Sequence, residues 1–269
     1  MASLRLDGKT IVLMGAGGGN MGAATSLALG EAGANVVGVD QTDDAMAGLE
    51  ARVAELGGRF VGVTADVRRT DEIDRILAKA VETFGALDGL VNLVGGTQVG
   101  QWKRFEETSD AIWEAVMALN LDYVFKSCRA FGRYLIESGR PGSIVNFASI
   151  SGYSSAPYHG PYGAAKAGVM ALTKTMAVEW GERNIRVNCL APSGSRGPRA
   201  RAMLADDTAQ RKSRAVLPRD GQATDFANTT VYLLSDVSSW ITGAVLYADG
   251  GMSAQSPLGD KDFFTPMLG

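Results

Sequence analysis

Ser149, Tyr162 and Lys166 are the residues of this chain whose types and spacing suit proton transfer. A free tyrosine hydroxyl titrates at a pKa of about 10, so alone it is a poor base near neutrality. A neighbouring ammonium favours the phenolate and brings that proton into use. Tyr162 and Lys166 stand at i and i+4, so a helix sets them on one face. A Tyr and a Lys on an ordinary amphipathic surface helix are the plain alternative. Ser149 counts against it. It closes the run Asn146-Phe147-Ala148 ahead of that helix, and its hydroxyl can steady a reacting oxygen.

A second constellation lies near the N-terminus. Gly15, Gly17, Gly18, Gly19 and Gly22 fall between an apolar strand pattern and a helical one. Glycines there allow a tight turn and let backbone N–H groups approach a pyrophosphate at a helix N-terminus. A merely flexible loop would carry the same letters. Asp40 closes the next strand pattern, where an adenosine ribose would lie. A carboxylate there accepts hydrogen bonds from both ribose hydroxyls and repels a 2′-phosphate. No Lys or Arg occurs from Gly15 to Ala45 to offset that repulsion, so the pattern favours NAD over NADP. The alternative is that Asp40 only caps a turn. Asp66, after the third strand pattern, either accepts from an adenine amino group or serves its own turn.

The elements that must hold these residues alternate βαβα. Strands are expected at 10–14, 35–39, 59–64, 87–94, 142–148, 185–191 and 245–248. Helices are expected at 21–32, 45–56, 70–84, 110–138 (running through Asn120), 162–180 and 224–234, with a loop carrying short helices at 196–218. Short apolar strands separated by helices imply an α/β fold: a single Rossmann-type doubly wound parallel sheet with helices on both faces. The 269 residues suit one domain, with no linker composition in the middle.

Composition removes several classes. A net charge of −3 leaves no basic footprint for nucleic acid. The apolar runs are too short to span a bilayer, and the N-terminus has no signal-peptide core, so a cytoplasmic location is expected. Cys128 and Cys189 sit among apolar neighbours and read as buried thiols of a reducing compartment. One histidine in the chain, and no metal-ligand spacing, argue against a metal site.

Taken together, the chain resembles the short-chain dehydrogenase/reductase family, in the subgroup of about this length that includes 3-oxoacyl-carrier-protein reductases and secondary-alcohol dehydrogenases. The resemblance runs from Leu6 to about Ser253. Its motifs come in the family's order: the glycine loop, Asp40, Ala65-Asp66-Val67, Asn92 to Gly95, Asn120, Ser149, Tyr162 with Lys166, Ile185 to Asn188, and Asp249-Gly250-Gly251. It implies a hydride transfer between NAD(H) and a secondary alcohol or ketone. Tyr162 would exchange a proton with the substrate oxygen, and Ser149 would hydrogen-bond that oxygen. Lys166 would hold the nicotinamide ribose and lower the Tyr162 pKa, while Asn120 would anchor a water linking Lys166 to solvent. Cofactor contacts are expected from Gly15, Gly19, Asn20, Met21, Gly22, Asp40, Asp66, Val67, Asn92, Gly95, Tyr162, Lys166, Pro192, Ser193 and Ser195.

Three departures stand out. The glycine loop is one residue longer than usual, with Asn20-Met21 before Gly22. The usual Asn-Asn-Ala-Gly reads Asn92-Leu93-Val94-Gly95, so Val94 should crowd the cofactor side. The usual threonine after Pro192 is replaced in Pro192-Ser193-Gly194-Ser195-Arg196.

On the substrate side, a covering segment is expected at about 194–219. It carries seven Lys/Arg against Asp206 and Asp207, either as a solvated lid face or, through Arg196 or Arg199, as a site for an anionic substrate. Ser151, Tyr153, Tyr158 and His159 could line the pocket, with His159 set behind Tyr162 as an acid or base. The apolar tail at 253–269, with Phe263, Phe264, Met267 and Leu268, is expected to pack on another subunit of a homotetramer. A non-redox epimerase or dehydratase, or a catalytically silent dinucleotide-binding protein, remain the alternatives.

Overall fold

The computed structural model describes residues 3–17, 19–193 and 215–255. Its centre is a seven-stranded, all-parallel sheet: β1 (Thr10–Met14), β2 (Asn35–Asp40), β3 (Arg59–Thr64), β4 (Gly89–Asn92), β5 (Gly142–Phe147), β6 (Ile185–Pro192) and β7 (Val245–Ala248), in the order β3-β2-β1-β4-β5-β6-β7. The chain winds one way from β1 to β3 and the other way from β4, so a crevice opens at the C-terminal ends of β1 and β4.

Both faces are covered, which explains why the strands read as unbroken apolar runs. On one face α4 (Thr70–Phe84), α6 (Tyr123–Ser138) and α7 (Gly160–Trp180) pack Ile76, Phe131 and Val169 on Val12 and Ile144. On the other, α1 (Gly19–Glu31), α3 (Leu49–Glu55) and α8 (Ala223–Leu234) pack Leu29, Val53 and Leu234 on Ile11 and Val145. The doubly wound sheet expected from the sequence is the one observed. Cys128 and Cys189 are free and fully buried, and burial pushes both thiols up to about 12.

Several boundaries differ from expectation. The single helix expected at 45–56 is two short ones, α2 (Asp43–Met46) and α3. Gly48, at φ +73, breaks them apart because a left-handed residue cannot continue a right-handed turn. The helix expected at 110–138 is α5 (Asp110–Met117) and α6 joined by a π turn at Ala118–Asp122, which holds Asn120. α1 starts at Gly19 rather than Met21, so Asn20, Met21 and Gly22 belong to its first turn. The expected loop with short helices at 196–218 lies mostly outside the described residues, as does the tail beyond 255. No helix of the described residues is long and apolar enough to cross a membrane.

Candidate active site

β5 ends at Phe147, and Ser149 follows in extended backbone as the cap of a short 3-10 turn, its Oγ accepting from Ser151 N at 3.2 Å. α7 then begins with Gly160-Pro161, proline being well placed in a first helical turn. Tyr162 and Lys166 lie on successive turns of this helix. Lys166 Nζ stands 5.7 Å from the Tyr162 ring centroid and donates to Phe147 O at 2.9 Å. Ser149, Tyr162 and Lys166 share a cavity of about 320 Å³ with Met21, Leu93, Gly95, Pro192 and Ser193. The cavity stands at the C-terminal ends of the strands, beside the crevice.

Electrostatics differ from the sequence expectation. Burial raises the Tyr162 pKa, and its hydrogen bond with Ser149 opposes that rise. Lys166 is 2 % exposed, and burial brings its pKa down to about 8, with nearby Cys189 acting the other way. The Tyr162 shift is therefore upward and set by its own desolvation, where the sequence led to a lowering by Lys166.

This has a consequence for stability. A lysine ammonium in water has a pKa of 10.5, and burial brings that of Lys166 down to about 8. Between those values the unfolded chain holds one proton more than the native one, so this group's contribution to stability rises with pH, by up to about 1.4 kcal/mol per pH unit. Below the folded pKa the buried charge is a constant cost. Denaturant titrations of wild type and Lys166→Met should therefore show their difference shifting toward wild type between pH 8 and pH 10. A flat difference would show that Lys166 titrates as it does in water.

Asn120 is fully buried. Its Nδ2 donates to Gly96 O and Val116 O, both at 2.9 Å, and its Oδ1 accepts from Gly96 N at 2.7 Å. Both amide N–H groups are thus spent clamping the segment after β4. Only the remaining lone pair of Oδ1 is left on this side chain for the expected water.

The residues expected to meet a cofactor divide into two groups. Gly15 N and Ala16 N donate to Val39 O, and Gly17 N donates to Asp40 Oδ2 at 3.0 Å. A Cβ on Gly17 would run into Ala45 O, so only glycine lets the loop pass there. Asp40 also accepts from Gln41 N at 2.8 Å. It caps its turn and fastens the glycine loop, yet stays partly exposed at the end of β2. Met21, Gly95, Pro192 and Ser193 line the cavity, and Val94 packs against Gly15. The residues fit a dinucleotide: a glycine-gated loop at a helix N-terminus, a carboxylate one strand away, and a cavity at the far end.

Other expected contacts are engaged elsewhere. Asn92 is fully buried, with Nδ2 donating to Asn146 Oδ1 and Cys128 Sγ and Oδ1 accepting from Ser127 Oγ. Its side chain ties β4 to β5 and α6. Asp66 is held by a two-point ion pair with Arg68 (2.7 and 2.8 Å), serving its own turn, and Val67 is core. Gly18 and Ser195 lie outside the described residues, as do Arg196 and Arg199. Of the seven basic residues counted at 196–219, Arg219 is described, and it is paired with Asp225 at 2.6 and 2.9 Å. Ser151 lines the cavity, while Tyr153 and Tyr158 are exposed, Tyr153 against the ring of Tyr247. Sequence reasoning missed Leu93 and Ile150 as lining residues, and it missed Trp102 beside His159. A polar residue inside an apolar strand, as at Asn146, was the available signal for the buried Asn92 network.

Comparison with known proteins agrees with this geometry. The family profile described as enoyl-(acyl carrier protein) reductase matches residues 15–253. A 3β-hydroxysteroid dehydrogenase of Eggerthella lenta is 35 % identical over 253 residues, covering 92 % of this chain and 95 % of the relative. A 3-oxoacyl-[acyl-carrier-protein] reductase of Thermotoga maritima is 35 % identical over 249 residues, covering 93 % and 99 %. The crystal structure of carveol dehydrogenase from Mycobacterium avium in complex with NAD superposes with a TM-score of 0.82 at 28 % identity, covering 93 % of this chain and 99 % of that one.

Proposed function

Because the chain belongs to the short-chain dehydrogenase/reductase family, we propose that it moves a hydride between NAD(H) and the carbinol carbon of a secondary alcohol or the matching ketone, with Tyr162 as acid/base. The observation that carries this reading is the shared cavity of Ser149, Tyr162 and Lys166 at the C-terminal ends of the strands. Relatives named as dehydrogenases and reductases support it.

When bound, the nicotinamide supplies or takes the hydride, and the protein supplies orientation and proton transfer. In the reducing direction, the Tyr162 hydroxyl gives its proton to the carbonyl oxygen as the carbon becomes tetrahedral. Ser149 Oγ–H donates a hydrogen bond to the same oxygen and steadies the charge that develops there. Lys166, with one ammonium hydrogen on Phe147 O, keeps its others for the ribose and for returning a proton to Tyr162. The clamp of Asn120 on Gly96 holds the wall behind Lys166.

NAD rather than NADP is favoured by Asp40 and by the absence of Lys and Arg from 15 to 45. The expected result is a kcat/KM with NADH well above that with NADPH across a panel of cyclic, terpenoid, sterol and 3-oxoacyl ketones, read by absorbance at 340 nm. Asp40→Ala should narrow that ratio. Equal use of both coenzymes by the wild type would end the NAD assignment, and no turnover with either would end the reductase reading. One domain over the whole chain, a cytoplasmic location and a homotetramer belong to the same proposal. A monodisperse monomer by light scattering would remove the tetramer.

A further inference from the structure

We propose that His159, with Trp102 beside it, is a specificity-determining residue that takes a second oxygen function on a cyclic alcohol or ketone held at Tyr162; this rests on the reductase reading above. His159 stands at the N-cap position of α7 without a side-chain capping bond, three residues before Tyr162. Its ring stands edge-on to Tyr162, with centroids 6.2 Å apart, and edge-on to Trp102 at 4.1 Å. Its Nε2 is shut off from solvent and has no hydrogen-bond partner. Among the described residues only one other buried side-chain nitrogen or oxygen shares that condition, Nε of Arg140, which pairs through its Nη2 with Asp88. Folded proteins satisfy nearly all such atoms, so an orphan three residues from the proton-transferring tyrosine calls for a ligand partner.

The surroundings define that ligand. Trp102 is fastened through its indole N–H to Thr97 Oγ1 at 3.0 Å, and its segment is tied to the His159 loop by Lys103 N donating to Tyr158 O at 3.1 Å. The same segment exposes an apolar rim of Val99 (59 %), Trp102 (38 %) and Phe105 (82 %). An apolar ring resting on this rim while its reacting carbon meets Tyr162 places other substituents near His159. Burial lowers the imidazole pKa, so the ring stays neutral. A neutral imidazole donates or accepts at Nε2 according to its tautomer, which suits a carbonyl or a hydroxyl and gives a carboxylate no counter-charge. Contact with Nε2 requires the Trp102 ring to turn aside, which is part of the proposal.

The test compares cyclohexanone with cyclohexane-1,4-dione, and decalone with decalindione. Binding to the NAD+-saturated enzyme is measured by calorimetry, so no turnover is needed, and NADH-dependent reduction is measured separately. In the wild type at least one dione should bind about tenfold tighter than its monoketone, beyond the statistical advantage of two equivalent carbonyls. His159→Phe should bring that ratio near one, and His159→Gln, which keeps a donor and an acceptor, should restore most of it. Equal ratios in wild type and His159→Phe, or no preference for either dione in the wild type, would overturn the subsite. A preference in binding without reduction of any ketone would overturn the reductase reading and leave the subsite standing.

Discussion

Replacing Tyr162 with phenylalanine should cut turnover by about 10³-fold while dinucleotide binding survives. The substitution removes one oxygen and keeps the ring, so the edge-on contact with His159 and the space beside Lys166 are preserved. What disappears is the proton donor to the substrate oxygen and the partner of Ser149. Positioned general acids typically contribute 10²- to 10⁴-fold, and Ser149 alone cannot replace the transfer because its hydroxyl keeps its proton. The thermal shift on adding NADH should match the wild type, since the glycine loop and Asp40 lie on other elements. Residual activity within tenfold of the wild type, at matched NADH binding, would remove Tyr162 from its role.

The second large effect is expected at a residue that carries no functional group. A Cβ on Gly95 would lie 2.7 Å from Asn120 Oδ1 and 2.9 Å from Lys166 Nζ. Real Cβ atoms do not come so close, so Gly95→Ala must displace one of them. Asn120 is locked by three hydrogen bonds, whereas Lys166 Nζ has the one bond to Phe147 O, so the ammonium moves. Displacement of a catalytic group by about 1 Å can cost on the order of 10²-fold, and that loss should fall on kcat more than on KM. Overpacking should also lower stability by about 1–3 kcal/mol. Gly181→Ala, at a site with nothing within 4 Å of the added carbon, controls for the loss of a glycine and should leave kcat near wild type. Wild-type kcat in Gly95→Ala would show that the position of Lys166 is not critical.

These two residues also mark the limits of reading the sequence. Tyr162 was legible from its spacing to Lys166 and from Ser149 closing the strand before it. The role of Gly95 as the space into which Lys166 and Asn120 fit was not, because the three residues come from three separate elements.

The strands, the helices apart from the breaks at Gly48 and around Asn120, the glycine loop after β1, the pairing of Tyr162 with Lys166 and the carboxylate at the end of β2 were all determined by the sequence itself. Each follows from patterns within one or two elements: an apolar run of strand length, a helical period, a glycine cluster at a fixed offset. The tertiary structure decided the rest. It gave Asp40 to Gly17 and Asn92 to Asn146, Cys128 and Ser127, pairings set by which strands are neighbours in the sheet and by α6 packing over them. It turned the segment around Asn120 into a π turn inside what reads as continuous helix, a change of one residue per turn that leaves no periodic trace. It buried Lys166 far enough to bring its pKa down to about 8. And it set Trp102 against His159, far away in the chain, leaving a nitrogen without a partner beside the tyrosine. Local periodicity places a residue on its own element, but desolvation and partnership depend on what the rest of the chain packs around it.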